Sequence, residues 1–241
     1  PKELRAFLQK TYIVHESFFI RAVYQVLSNA MNLKLLNVNP LQDSKNNSGI
    51  TDSNSNASMV HVSNLTELAQ CIDITTLRIS LNVYLHDYQF NDYIDLPPRY
   101  FTRLSSIGIR QYRQLIFDKI FRRLELEAPL NELIFQRPGS YKKVNILLDV
   151  IERNNYIDLS QWDIYSLGTV FLHFLKNKSY PLIPIDLIPL PIKDDYQYTY
   201  TTFCNIIKAN EYFDLLETIF PLFIAILKAT DVTKHNTKTL S

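Results

Sequence analysis

From residue 107 onward, apolar residues recur at helical spacing in one block after another, and this periodicity constrains the fold of more than half of the chain. Ile109, Tyr112, Leu115, Ile116 and Ile120 fall on one face of a first helix. Ser140 stands as the cap of a second, where Val144, Leu147, Leu148 and Ile151 repeat at i, i+3, i+4 and i+7. The pattern predicts a third helix over about 160–177 and two more near 198–209 and 211–229. Between the third and fourth runs "YPLIPIDLIPLPIKDD", whose Pro181, Pro184, Pro189 and Pro191 forbid a continuous helix. The expectation is an all-α bundle with one proline-stiffened crossover and no repeat period.

The first part of the chain has a different character. "FLQKTYIV", residues 7–14, reads as a short strand, with Tyr12, Ile13 and Val14 β-prone. Ser17 then caps an expected helix over about 17–30, carrying Phe19, Ile20, Val23, Tyr24 and Leu27 at helical spacing. From Asn39 the composition collapses into "NPLQDSKNNSGITDSNSN", which has nothing to bury and is expected to be a mobile insert over 39–58. Order returns with "MVHV". Asn64 with Glu67 three residues later then forms a capping-box-like helix start. "LRISLNVYLHDYQF" is expected as an extended, irregular tail, and "QFNDYIDLPPRYFTRLS", with its Pro-Pro pair, as the domain boundary.

Composition removes several function classes. Hydrophobic residues make up 46% of the chain, enough to bury real cores. The net charge of +1 argues against a large field for nucleic acid or an anionic membrane, and no nucleic-acid partner is expected. No apolar run reaches the roughly 20 residues of a membrane span. The opening "PKELRAFLQK" lacks both an initiator Met and a signal-peptide core, so an internal start is expected. Only four glycines are present, and neither Gly-rich phosphate-binding motif occurs, so no nucleotide cofactor is expected. Cys71 and Cys204 are far apart in apolar settings and are expected to be buried free thiols. The five histidines, His15, His61, His86, His173 and His235, show no ligand spacing with either cysteine, so no metal site is expected.

Three blocks in the helical half carry a resemblance. "NELIFQRPGS" looks like an acidic-glycine-aliphatic-aromatic-Arg-x-Ser-Gly signature. "DIYSLGTVFLHFLKNKSYPLIP", residues 163–184, resembles a helix ending in Leu-Pro-x-Pro-Leu. "LLETIFPLFIAIL", 215–227, resembles the helix before an Asn-Lys-Met motif, of which "HNTKTLS" keeps Asn236. These are marks of the RhoGAP family, the helical module that stimulates GTP hydrolysis by Rho-family GTPases. In the first half, "YIVHESFFIRAVY" and "VHVSNLTELAQCIDITTL" look like the last strand, following helix and closing segment of the CRAL-TRIO lipid-binding fold. The chain therefore resembles CRAL-TRIO–RhoGAP proteins. The implied fold class is an α/β partial CRAL-TRIO-like segment, then an all-α RhoGAP-like helical domain. The expected division is 1–88 for the CRAL-TRIO part, 89–106 for a linker and 107–241 for the RhoGAP-like part, truncated at its C-terminal end.

The resemblance also assigns roles. The family inserts an arginine finger beside the transferring phosphate, a group worth about 10³ to 10⁵ in rate. Matching Glu132, Ile134, Phe135 and Gly139 to the signature puts the finger position on Gln136, with Leu133 where glycine is usual. A neutral amide donates a hydrogen bond but supplies no charge. Arg137 is the displaced candidate finger. In extended chain one step turns a side chain to the opposite side, so Arg137 either reaches by an adjustment at Pro138–Gly139 or is a solvated arginine whose stem packs on Phe135. The family's supporting lysine and arginine on the third helix fall on Leu172 and Lys176. The implied GTPase-binding residues are Gly139, Leu172, Lys176 and Asn236.

The expected partner is a Rho-family small GTPase, with catalysis weak or lost. Membrane lipid is a second expected partner, through a full-length CRAL-TRIO domain. A cytoplasmic location, peripheral at membranes, and a part in cell polarity go with that reading. Two alternatives stand beside it: a non-catalytic scaffold contacting partners through "PLIPIDLIPLP" and the polar insert, and a lipid-associated adaptor. Arg99, Arg103, Arg110, Arg113, Arg122 and Arg123 either meet an acidic GTPase surface or lipid headgroups, or form the wet face of the first helix beside Glu125 and Glu127.

Overall fold

The computed structural model describes residues 10–15, 22–23, 58–91, 93–97, 106–177, 181–209 and 211–240. The insert expected at 39–58, apart from Ser58, and most of the helix expected at 17–30 lie outside these residues. The chain divides into two compact units, residues 1–77 with 86–103 and residues 78–85 with 104–241.

In the first unit, β1 (Lys10–Val14) pairs in parallel with β2 (Ser58–Val62), in the register Lys10↔Ser58 through Val14↔Val62. Helix α1 (Leu65–Cys71) follows directly and buries Leu65, Leu68 and Ala69. Its start is built as the sequence predicts. The Asn64 side chain accepts from the Glu67 N–H at 2.8 Å, while Glu67 accepts from the Ser63 N–H at 2.6 Å. Asp87 is buried in the same unit and accepts from the Leu65 N–H and from His15 Nε2, each at 2.8 Å.

The tail expected to be irregular contains a helix, α2 (Leu81–Asp87). Leu81 and Tyr84, three apart, are both buried, and at two turns the periodic signal is too short to stand out from an extended run. Its first turn belongs to the second unit. The Leu81 N–H is taken by Gln161 Oε1 at 2.6 Å, and the Tyr84 hydroxyl accepts from Asn155 Nδ2 at 3.2 Å.

The second unit is the expected helical bundle. Its elements are α3 (Ser106–Glu127), α4 (Tyr141–Glu152), α5 (Ile164–Lys176), α6 (Tyr196–Ala209), α7 (Phe213–Lys228), α8 (Thr230–Thr233) and α9 (Thr237–Leu240). Its core joins Ile116, Ile120 and Leu124 of α3 to Leu147 and Val150 of α4, Leu167, Val170 and Phe171 of α5, and Leu216, Ile219, Leu222 and Ile226 of α7. Leu115, expected in that face, is half exposed, because the buried stripe runs one step to its side through Ile116, Ile120 and Leu124. Neither cysteine is buried as expected: Cys71 is exposed and Cys204 half-buried, both free. Among the described residues no helix is long and apolar enough to cross a membrane, and no cluster of three metal-ligating side chains occurs.

Candidate functional site

The loop from Asn131 to Ser140 leaves α3 through a short 3-10 turn at Ala128–Leu130 and enters α4. Its middle is anchored by apolar residues. Ile134 is fully buried, and the Phe135 ring lies 5.9 Å from both Phe171 and Phe223. Its end is anchored by a close approach. A Cβ on Gly139 would stand 2.3 Å from Ser166 Cα, and the Gly139 N–H donates to Thr169 Oγ1 at 3.0 Å. Only glycine fits at 139, so this residue packs the loop onto α5. Ser140 takes the cap position of α4 as expected, but its side chain makes no capping bond.

Between these anchors the chain is turned rather than extended. Leu133 has φ 51, and its carbonyl accepts from the N–H groups of Gln136 at 2.9 Å and Arg137 at 2.8 Å. The expectation that one residue reverses a side chain therefore fails here. In a helical turn one step rotates a side chain by about 100°, and Gln136 and Arg137 are both exposed. The left-handed backbone at 133 gives the physical reason that glycine suits this place, and leucine holds it under strain.

Two different partners hold the two side chains. Gln136 Nε2 donates to the Thr239 carbonyl of α9 at 3.0 Å, and Arg137 Nη2 lies 3.1 Å from Glu132 Oε2 in a solvent-exposed ion pair. The Thr239 turn is itself tied down, since Asn236 Oδ1 accepts from the Thr239 N–H at 2.9 Å. Beneath it His235 is buried, with Nδ1 3.2 Å from Thr239 Oγ1 and Nε2 without a partner. Thr239 Oγ1 also lies 3.0 Å from the Asn236 carbonyl. Burial pushes the imidazole below its ordinary pKa.

Helix α5 supplies the other wall. Asp163 caps it, accepting from the Ser166 N–H at 2.9 Å and lying 3.0 Å from Lys143 Nζ. Burial raises the Asp163 carboxyl, but the bonds from Ser166 and Lys143 outweigh it, and the net shift is downward. Gly168 lies against Phe135, and Leu172 and Lys176 follow it at i+4 and i+8 on the same helix stripe. Leu172 is half-buried and Lys176 exposed. The structure thus joins Gln136 to the Asn236–Thr239 turn and Gly139 to α5.

Arg123, read above as part of a wet arginine face, has a different place. It donates to the carbonyls of Leu159 at 2.6 Å and Trp162 at 3.0 Å and pairs with Glu127, clamping the segment that returns to α5. Arg110, Arg113 and Arg122 are exposed, and Arg99 and Arg103 lie outside the described residues.

The RhoGAP domain model matches residues 115–241, more than half of the chain. The chain belongs to the RhoGAP family. A divergent CRAL/TRIO domain matches residues 1–89. Protein ECM25 of Saccharomyces cerevisiae, a fungal relative, is 58% identical over 242 residues, covering all of this chain and 39% of the relative. The chain therefore spans about two fifths of that relative's length. No solved structure matches. The combination of a CRAL/TRIO-like part and a helical RhoGAP domain is the one the sequence blocks suggested, and it makes the chain a RhoGAP-fold regulator.

Proposed function

We propose that this RhoGAP domain binds a Rho-family GTPase in its GTP form and stimulates hydrolysis weakly. The face involved is formed by the loop at Gln136–Gly139, the α5 stripe at Leu172 and Lys176, and the turn at Asn236. The observation that carries the reading is the neutral amide at the finger position, with a cation one residue on that is already paired to Glu132. An amide supplies no charge to the transferring phosphate. An exposed ion pair contributes only about 0–1 kcal/mol, so a phosphate competes readily for Arg137. Arg137 is then the source of whatever activity exists, from a position rotated away from the finger's.

Single-turnover GTP hydrolysis by Rho-type GTPases, run beside a pull-down of their GTP forms, tests this. Binding with little acceleration is expected of the parent, and Gln136→Arg raises the rate at least tenfold toward the range of about 10³ to 10⁵ that a working finger supplies. Strong acceleration by the parent that disappears in Arg137→Ala and survives Gln136→Ala overturns the assignment at 136. Absence of binding to every Rho-type protein at high micromolar concentration favours the scaffold reading. Lipid contact through the CRAL/TRIO part and a peripheral cytoplasmic location belong to the same proposal. Lipid extraction from the longer protein with mass spectrometry, and cell fractionation, test them.

A further inference from the structure

On the N-terminal half of α3, away from the Gln136 loop that follows its other end, the second unit holds an open groove of about 890 Å³. Its floor is aromatic: Phe117 of α3 and Phe174 of α5 meet edge to face, with ring centres 6.0 Å apart. Both are half-buried, so the rings stay partly open to whatever enters. Around them stands a charged rim. Arg110 and Arg113, on α3, supply the cations. Glu152 at the end of α4, with Glu211 and Asp214 around the start of α7, supplies the anions. An apolar floor inside a polar, accessible rim is the anatomy of a protein recognition site.

The rim charges decide what fits. All five are exposed, and none is ion-paired to another or to any other described residue, although they line one groove. By contrast Asp118, also on this side of α3, is engaged by Gln114 Nε2 at 2.8 Å. The free cations come from one wall and the free anions from the others, too far apart to meet. Only an occupant carrying both signs satisfies the two sets together, and three anions against two cations make its complement net basic. The floor takes an aromatic or branched apolar side chain between the charged ends. That contact supplies most of the binding, since exposed charge pairs contribute little. A small-molecule pocket is enclosed and mostly apolar, whereas an open groove with a charged rim accommodates a length of chain. We propose that this groove binds a peptide segment of a partner protein, with an apolar anchor flanked by acidic residues on one side and basic residues on the other.

Fluorescence anisotropy with a labelled probe, Glu-Asp-Ser-Phe-Leu-Ser-Lys-Arg-Lys, tests the proposal on the whole chain. Saturable binding in the micromolar range is expected, weakening as added salt screens the rim. Changing the probe's Phe-Leu pair to Ala-Ala abolishes it. Arg110→Glu combined with Arg113→Glu weakens binding by about fivefold or more, because two attractive contacts become repulsive. The melting temperature of this variant stays within a degree or so of the parent, since both arginines are exposed and unpaired. Lys119→Glu combined with Arg122→Glu changes the net charge equally on exposed positions of α3 outside the groove, and is expected to leave binding unchanged. A probe whose two acids are replaced by lysine binds the Arg110/Arg113 variant more tightly than it binds the parent. Absence of saturable binding up to about 1 mM overturns the proposal. So does an equal loss in the two double variants, which reduces the contact to net charge, and so does undiminished binding of the Ala-Ala probe.

Discussion

The placement of the Gln136–Gly139 loop depends on one residue without a side chain, and Gly139→Ala measures how much. An ideal Cβ at 139 stands 2.3 Å from Ser166 Cα, 2.5 Å from its nitrogen and 2.8 Å from its Oγ, and two of those three atoms are backbone of α5. Backbone cannot rotate out of the way, so the loop must retreat from the helix by about an ångström. Overpacking of this kind costs about 1–3 kcal/mol, and losing the Gly139 N–H bond to Thr169 adds about 1 kcal/mol. The sum, about 2–4 kcal/mol, lowers the melting temperature by roughly 4–16 °C in a chain of this size. Gly168→Ala is the matched control, since its Cβ meets Ile134 and Phe135 atoms at 3.5–3.6 Å, ordinary contact. In mid-helix it also gains up to about 1 kcal/mol of helix propensity. Trp162, the one tryptophan, is buried in this unit with Nε1 bonded to the Lys143 carbonyl, so its fluorescence on heating follows the helical part alone. A Gly139→Ala melt within a degree or so of the parent, or one no lower than that of Gly168→Ala, refutes the reasoning.

Three further outcomes follow from the same geometry. Leu133→Gly relieves a left-handed backbone and is expected to raise stability by about 1 kcal/mol, read from urea unfolding. His235 is buried neutral with a lowered pKa, so the unfolded chain takes up its proton first as pH falls. Its contribution is intact above the unfolded value of about 6.5 and is lost as pH drops from there toward the folded one. Melting temperatures between about pH 7.5 and 5.5 should therefore fall more steeply for the parent than for His235→Asn. Asn155→Ala leaves the buried Tyr84 hydroxyl unpaired and should cost about 1–3 kcal/mol. The double change Asn155→Ala with Tyr84→Phe should cost less than the sum of the two singles in the same unfolding assay.

The bundle was legible because its helices are long and their apolar faces repeat over three or more turns. Val144, Leu147 and Ile151 are buried, with Leu148 beside them half-buried, and the proline crossover separates α5 from α6 as its sequence demands. Helix α2 was hidden because two turns hold too few apolar residues to show a period. The Arg123 clamp was hidden for another reason: its acceptors are backbone carbonyls 36 and 39 residues away, and no side-chain pattern announces a carbonyl. The exposure of Cys71 could not be read from its apolar neighbours, since Leu68 and Ala69 turn inward on a helix that turns Cys71 out. At the loop the departure of Leu133 from glycine was visible, but its consequence, one left-handed residue that opens a turn rotating Arg137 instead of reversing it, belongs to the backbone.

That turn decides how the two neighbouring side chains compare as sources of charge. A step of about 100° leaves Arg137 on the same exposed rim as Gln136, though aimed elsewhere. On the assignment proposed above, a guanidinium at 137 freed from Glu132 starts about 100° round the turn from the finger position. Misplacement by about 1 Å already costs on the order of a hundredfold in rate. A recruited Arg137 is therefore expected to give only a fraction of a finger's effect, while Gln136→Arg removes the amide's bond to Thr239 and sets the charge at the proposed finger position itself. The expected order of GTPase stimulation is Gln136→Arg above the parent, and the parent above Arg137→Ala. Combining Gln136→Arg with Arg137→Ala should retain most of the gain, because the charge at 136 no longer needs its neighbour. If the combined variant falls back to the level of Arg137→Ala, the two positions act as one unit and the separation drawn here between them is wrong.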